Sequence, residues 1–131
     1  INLQADGSAL YTAAGLWSAW DTDTGTVWVR LPSGEDIDLE LPGFSHSARM
    51  AAWQDGVAVV TMSVEEGIYN ALNLSTITTD GAVSTTALQT DAAPSVYGVD
   101  LTVVGGQKAV VIWQEGASPD FRLRAEWLSL D

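Results

Sequence analysis

The chain has 131 residues, 47% of them hydrophobic, with 17 acidic residues against five basic ones and a formal charge of −12. That length and apolar content suit one domain with its own core, while the charge argues against phosphate backbones and anionic lipid as partners. No cysteine is present, which removes disulfides, thiolate nucleophiles and cysteine-based zinc sites, and no stretch reaches the roughly 20 apolar residues of a membrane-spanning helix.

Along the chain, strand signals dominate. Residues 1–4 (INLQ) read as a strand, because NLQAD at 2–6 resembles ALQTD at 87–91, which leaves a later strand. The chain opens at Ile1 with neither methionine nor a basic signal region, as expected of a processed or excised product. Residues 9–25 (ALYTAAGLWSAWDTDTG) form a small and apolar run, a glycine turn at Gly15, a second apolar run with an acidic end and a closing turn at Gly25. A third strand is predicted over 26–31 and a fourth over 36–41, where DIDLEL alternates Ile37, Leu39 and Leu41 toward a core with Asp36, Asp38 and Glu40 toward water. His46 stands alone and is expected in an exposed loop.

The construction returns at 49–67 (RMAAWQDGVAVVTMSVEEG) and at 99–116 (VDLTVVGGQKAVVIWQEG), with glycine turns at Gly56 and Gly67, then at Gly106 and Gly116. Dense apolar runs at 57–64 and 109–113 predict inner strands covered on both faces. Strands over 68–79 and 83–89 complete the second unit. In the third, 121–130 alternates Phe121, Leu123, Ala125 and Trp127 against Arg122, Arg124 and Glu126, the latter read as a solvent-facing charge ladder. About eleven strands in an antiparallel meander follow from this punctuation. The repeat spacing, roughly 40 to 50 residues, is that of a propeller blade. The chain thus divides as one domain, 1–131, of three blade-like repeats at about 5–47, 48–97 and 98–131, the last completed by 1–4.

VAVVTMSVEEG followed by IYNALNLSTITTDG, and AVVIWQEG followed by FRLRAEWLSLD, resemble the repeats of secreted bacterial β-propellers. Residues 21–28 (DTDTGTVW) are similar to the Asp-box of sialidase-like blades, S/T-x-D-x-G-x-x-W, with Asp21 in place of the hydroxyl residue; in that family the box stabilises a turn. The resemblance implies an all-β, propeller-like fold of about three four-stranded antiparallel blades in an extracellular or periplasmic protein. A β-trefoil is the alternative, but trefoil lectins carry Q-x-W and here the order is inverted, in Trp53-Gln54-Asp55 and Trp113-Gln114-Glu115. Three blades are too few to close a ring. The expected assembly is a homodimer forming one six-bladed ring, with 1–4 of one chain beside 121–130 of the other, or a part of a longer propeller.

Six tryptophans are the side chains best suited to binding, since aromatic faces beside carboxylates and amides stack sugar rings and hydrogen-bond their hydroxyls. Trp20 with Asp21, Trp53 with Gln54 and Asp55, and Trp113 with Gln114 and Glu115 place that combination at strand ends, Trp113 and Glu115 being the first choice; packing between blades is the competing role of each tryptophan. Asp21 and Asp23 beside a glycine turn are candidate calcium ligands, and turn formation by Asx explains the same pattern without metal. No other cofactor is indicated. Carboxylate pairs such as Glu65 and Glu66 arise from composition, and no G-x-S-x-G elbow occurs. The expectation is a non-catalytic, lectin-like binding module for a glycan or protein ligand. Its alternatives are a structural or protein-interaction propeller module and a fragment of a sialidase-like glycosidase.

Overall fold

The computed structural model describes residues 9–11, 15–21, 24–41, 43–65, 68–88, 96–116 and 119–130. These form eleven strands and no helix, arranged as three separate antiparallel sheets. The first contains β1 (Ala9–Tyr11), β2 (Trp17–Asp21), β3 (Thr26–Arg30) and β4 (Asp36–Asp38). The second contains β5 (Phe44–Trp53), β6 (Gly56–Glu65), β7 (Ile68–Thr78) and β8 (Val83–Leu88). The third contains β9 (Val96–Val104), β10 (Lys108–Glu115) and β11 (Arg122–Ser129). Within each sheet, neighbours in sequence are neighbours in space, and none closes into a barrel. Among the described residues no helix is long and apolar enough to cross a membrane. The strand expected over 1–4 lies outside the described residues.

β6 explains the stacking. Val57, Ala58, Val59 and Val60 are all fully buried, which a strand achieves only when both faces of its sheet are covered, since successive side chains point to opposite sides. Val57 and Val59 join Val27, Val29, Leu31 and Leu39 of the first sheet in one apolar cluster. Ala58, Val60 and Met62 join Val99, Leu101, Val111 and Trp113 of the third sheet in another. The second sheet is therefore sandwiched, and each fully buried valine or leucine contributes about 1.5–3 kcal/mol.

The run at 109–113 departs from its expected burial. Ala109, Val111 and Trp113 point into the core, and Val110 on the other side is 7% exposed beside its partner Trp127, but Ile112 is exposed, because the third sheet has a described neighbour on one face only. The pattern at 36–41 keeps its two sides, with Leu39 buried, Ile37 and Leu41 packed against the first cluster, and Asp36, Asp38 and Glu40 exposed. Its strand is shorter than expected and ends at Asp38. Glu40 adopts a left-handed φ of 48°, which for a residue with a Cβ costs roughly 1–2 kcal/mol; its N–H donates to Asp38 Oδ1 at 2.9 Å. His46 lies inside β5 rather than in a loop, where the pairing with β6 shifts register between Ser45 and Ser47.

Turns tie the sheets together. Gln54 N–H donates to the Gly106 carbonyl at 2.7 Å and Gln107 Nε2 donates to Gln54 Oε1 at 2.9 Å, linking the β5–β6 turn to the β9–β10 turn. Thr79 N–H donates to the Asp55 carbonyl at 3.1 Å. Glycine is required where β6 begins, because a Cβ on Gly56 would lie 1.8 Å from the Ile77 carbonyl oxygen across the ladder. Gly56→Ala is expected to cost about 1–3 kcal/mol or more by forcing β6 from β7, read as a lowered thermal midpoint; an unchanged midpoint would contradict this close approach.

Candidate functional site

The residues expected to bind ligand fall into three different settings. Trp20 and Asp21 end β2, where they pair with Val27 and Thr26 of β3; Asp23 lies outside the described residues. Among the described residues no group of three or more histidine or acidic side chains gathers to hold a metal. Trp53 is half-buried and packs against the cluster between the second and third sheets, with its indole Nε1 buried and without a hydrogen-bond partner among the described residues. Gln54 is engaged by the third sheet, as described above.

Trp113 and Glu115 are interior, which corrects their reading as a strand-end ligand pair. Trp113 is 1% exposed and Glu115 is 0% exposed. The reason is positional: β10 is the middle strand of its sheet, and Ala109, Val111, Trp113 and Glu115 alternate onto the side facing the second sheet. Trp113 Nε1–H donates to Glu115 Oε2 at 3.1 Å. Glu115 Oε1 accepts from Arg122 Nε at 3.2 Å and from Arg124 Nη1 at 3.1 Å, and Arg122 Nη2 lies 3.1 Å away. The Arg124 guanidinium also sits 5.9 Å from the centre of the Trp113 ring, a cation–π distance.

The register makes this network. Glu115 pairs with Arg122 and Trp113 with Arg124, so the even-numbered side of β11 faces the interior at that end of the sheet. Arg122 and Arg124 keep part of the solvent exposure expected of a charge ladder, their side chains being 54% and 32% exposed, but their guanidinium groups turn in to the Glu115 carboxylate. Their donors satisfy a buried carboxylate that would otherwise carry a large desolvation cost. Glu126 follows on the same side, half-buried, and Leu128 packs against the core.

Turning the arginines inward turns the apolar residues outward. Leu123 is 75% exposed, Trp127 64%, Val104 48%, Phe121 44% and Ile112 43%. Leu123 pairs with Gln114, Ala125 with Ile112 and Trp127 with Val110, so these side chains form one continuous outer surface on the third sheet. At one end it runs into an open groove of about 360 Å³ lined by Arg49, Gly98, Val99, Asp100, Ile112, Trp113, Gln114 and Leu123. The groove forms where the β9–β10 pairing slips between Trp113 and Gln114, at Gly98, whose φ is +56°. Such bulges bend a strand and re-aim its side chains.

Arg30, on β3 of the first sheet, has a local role. Arg30 donates Nε to Asp36 Oδ1 at 2.8 Å and Nη2 to Oδ2 at 3.1 Å, and these hydrogen bonds hold the Asp36 carboxyl below its ordinary value. Arg49 donates Nη1 to the Ala48 carbonyl at 2.9 Å at the rim of the groove.

Residue-pair parity was the signal for the Glu115 network: Trp113 and Glu115 share a face of one strand, and Arg122 and Arg124 share a face of the next. Nothing in that parity says which face is inward. Glu115→Ala is expected to cost about 1–3 kcal/mol, because it leaves the buried Trp113 indole N–H without its acceptor and removes the carboxylate that Arg122 and Arg124 share. Trp113→Ala should cost about 3–5 kcal/mol through a core cavity. Chemical denaturation measures both, and a loss below about 1 kcal/mol in either would contradict the interior placement. Comparison of the chain with protein-family models, curated proteins and solved structures gives no match.

Proposed function

We propose that this chain is a non-catalytic protein-interaction module built from β-propeller-type blades, and that its working surface is the outer face of the third sheet. The propeller reading is supported by three consecutive antiparallel meanders, each with neighbours in sequence order, stacked face to face with the middle one covered on both sides. In that arrangement the outer face of the third sheet is where a next blade or a partner would pack.

One observation carries the functional reading: large apolar side chains, Leu123 and Trp127 foremost, stand exposed together on one sheet face of a strongly acidic chain. Contiguous exposed apolar surface marks interaction sites. A protein surface suits it better than a glycan. Trp127 pairs with Val110 and has Ala125 and Ser129 as its same-face neighbours on β11, rather than the carboxylates and amides that hydrogen-bond sugar hydroxyls, and Trp113, the stacking residue first expected, is interior.

A neutral apolar dye such as Nile red tests this at high dilution. The folded chain is expected to raise its emission, and Leu123→Asp and Trp127→Ser are each expected to reduce that signal while changing stability by less than about 0.5 kcal/mol, the usual scale for exposed positions. No dye response, or a several-kcal/mol loss on either substitution, would show that the face is covered by the chain itself and would overturn the reading.

A further inference from the structure

We infer that the partner covering this face is a second copy of the same chain, which docks through the same face of its own third sheet; the inference rests on the interaction reading above. Charge selects the occupant. Each copy carries −12, so two copies repel across most of their surfaces, and a basic partner would be drawn to those acidic surfaces instead. On the outer side of the third sheet the alternation leaves Asp100 and Lys108 as the strands' own charges, one of each sign, and Arg49 stands at the groove at one end, so the face carries none of the chain's net negative charge. It is the surface on which two copies meet without adding like charge, and a neutral apolar face is the complement it offers to itself.

Shape agrees. Two sheets pack face to face about 10 Å apart with their strands nearly aligned, and a two-fold arrangement, the commonest in homo-oligomers, uses the same patch on both partners. Stacking against the first sheet of a second copy is less suited, because β3 and β4 present Arg30, Asp36 and Asp38 beside Trp28 on the side away from the core, and Leu123 and Trp127 would meet charges there. Area sets the strength. Three strands of about eight residues, at roughly 3.3 Å per residue and 4.8 Å per strand, span about 380 Å². This is below the roughly 800 Å² per partner of a standard stable interface, so the dimer is weak and concentration-dependent. Moderate salt strengthens it by screening the repulsion between the two acidic bodies.

The cysteine-free sequence permits a clean test. Light scattering over a concentration series should show the mean mass rising toward twice the monomer, more steeply at moderate salt than at low salt. A single thiol introduced by Ala125→Cys, at the middle of the face, should be linked to its counterpart by a short bismaleimide, whereas Ser84→Cys on β8 should not. Leu123→Asp should abolish both the mass increase and, combined with Ala125→Cys, the crosslink; Thr102→Arg, on a different strand of the same face, should do the same and guards against a folding defect in the first. A monomer at every concentration whose Ala125→Cys thiol reacts rapidly with a monofunctional maleimide removes the second copy and leaves the interaction reading in place. A monomer whose thiol is protected removes both. A dimer that survives both face substitutions, or that crosslinks through Ser84→Cys instead, places the contact elsewhere and overturns the inference.

Discussion

Everything else in this structure depends on β6 being apolar on both sides. Four consecutive residues, Val57 to Val60, have no exposed surface, and a strand can satisfy that only if its sheet is covered front and back. The first and third sheets supply those covers through two separate apolar clusters. Within each sheet the order of strands in space follows the order in sequence, because short turns leave little choice of neighbour. Turn contacts such as Gln54 to Gly106 then fix the offset between the second and third sheets.

The third sheet inherits the consequence. One of its faces is used to cover β6, and the polarity of that face is mixed: apolar at Val99, Leu101, Ala109 and Val111, charged at Glu115, Arg122 and Arg124. A buried carboxylate is tolerated there because three side chains donate to it, and satisfying it requires β11 to present its arginines inward. Leu123, Ala125 and Trp127 are left on the outside by the same geometry. An internal polar network thereby determines an external apolar surface, and the proposed binding role is tied to the fold by that link rather than by a pocket with reactive groups.

Much of the fold was legible in the sequence. The three meanders, the doubly covered run, which holds over 57–63 but not at the exposed Val64, and the two-sided strand near Asp36 all follow from period and turn chemistry. What the sequence left open was the direction of β11. A period of two says that two faces differ, and Phe121, Leu123 and Trp127 look like the core side when read alone. The interior requirement that decides the matter sits on β10, at Glu115, and becomes visible only when the register pairs it with Arg122. The same omission explains why Trp113 and Glu115 read as a ligand pair: a tryptophan beside a carboxylate looks alike at a surface and around a satisfied buried charge. Ile112 shows the converse, since an unbroken apolar run suggests burial on both sides even where one side is left exposed.

The third sheet has an inward tryptophan, Trp113, and an outward one, Trp127. Indole N–H resonances observed by NMR at high dilution, with a soluble paramagnetic agent added, distinguish them directly. The Trp127 indole signal, assigned by substitution, is expected to be bleached by the agent, while that of Trp113, hydrogen-bonded to Glu115, is expected to persist. A protected Trp127 signal together with a bleached Trp113 signal would reverse the facing of the third sheet and contradict the fold, the network and the proposed surface together.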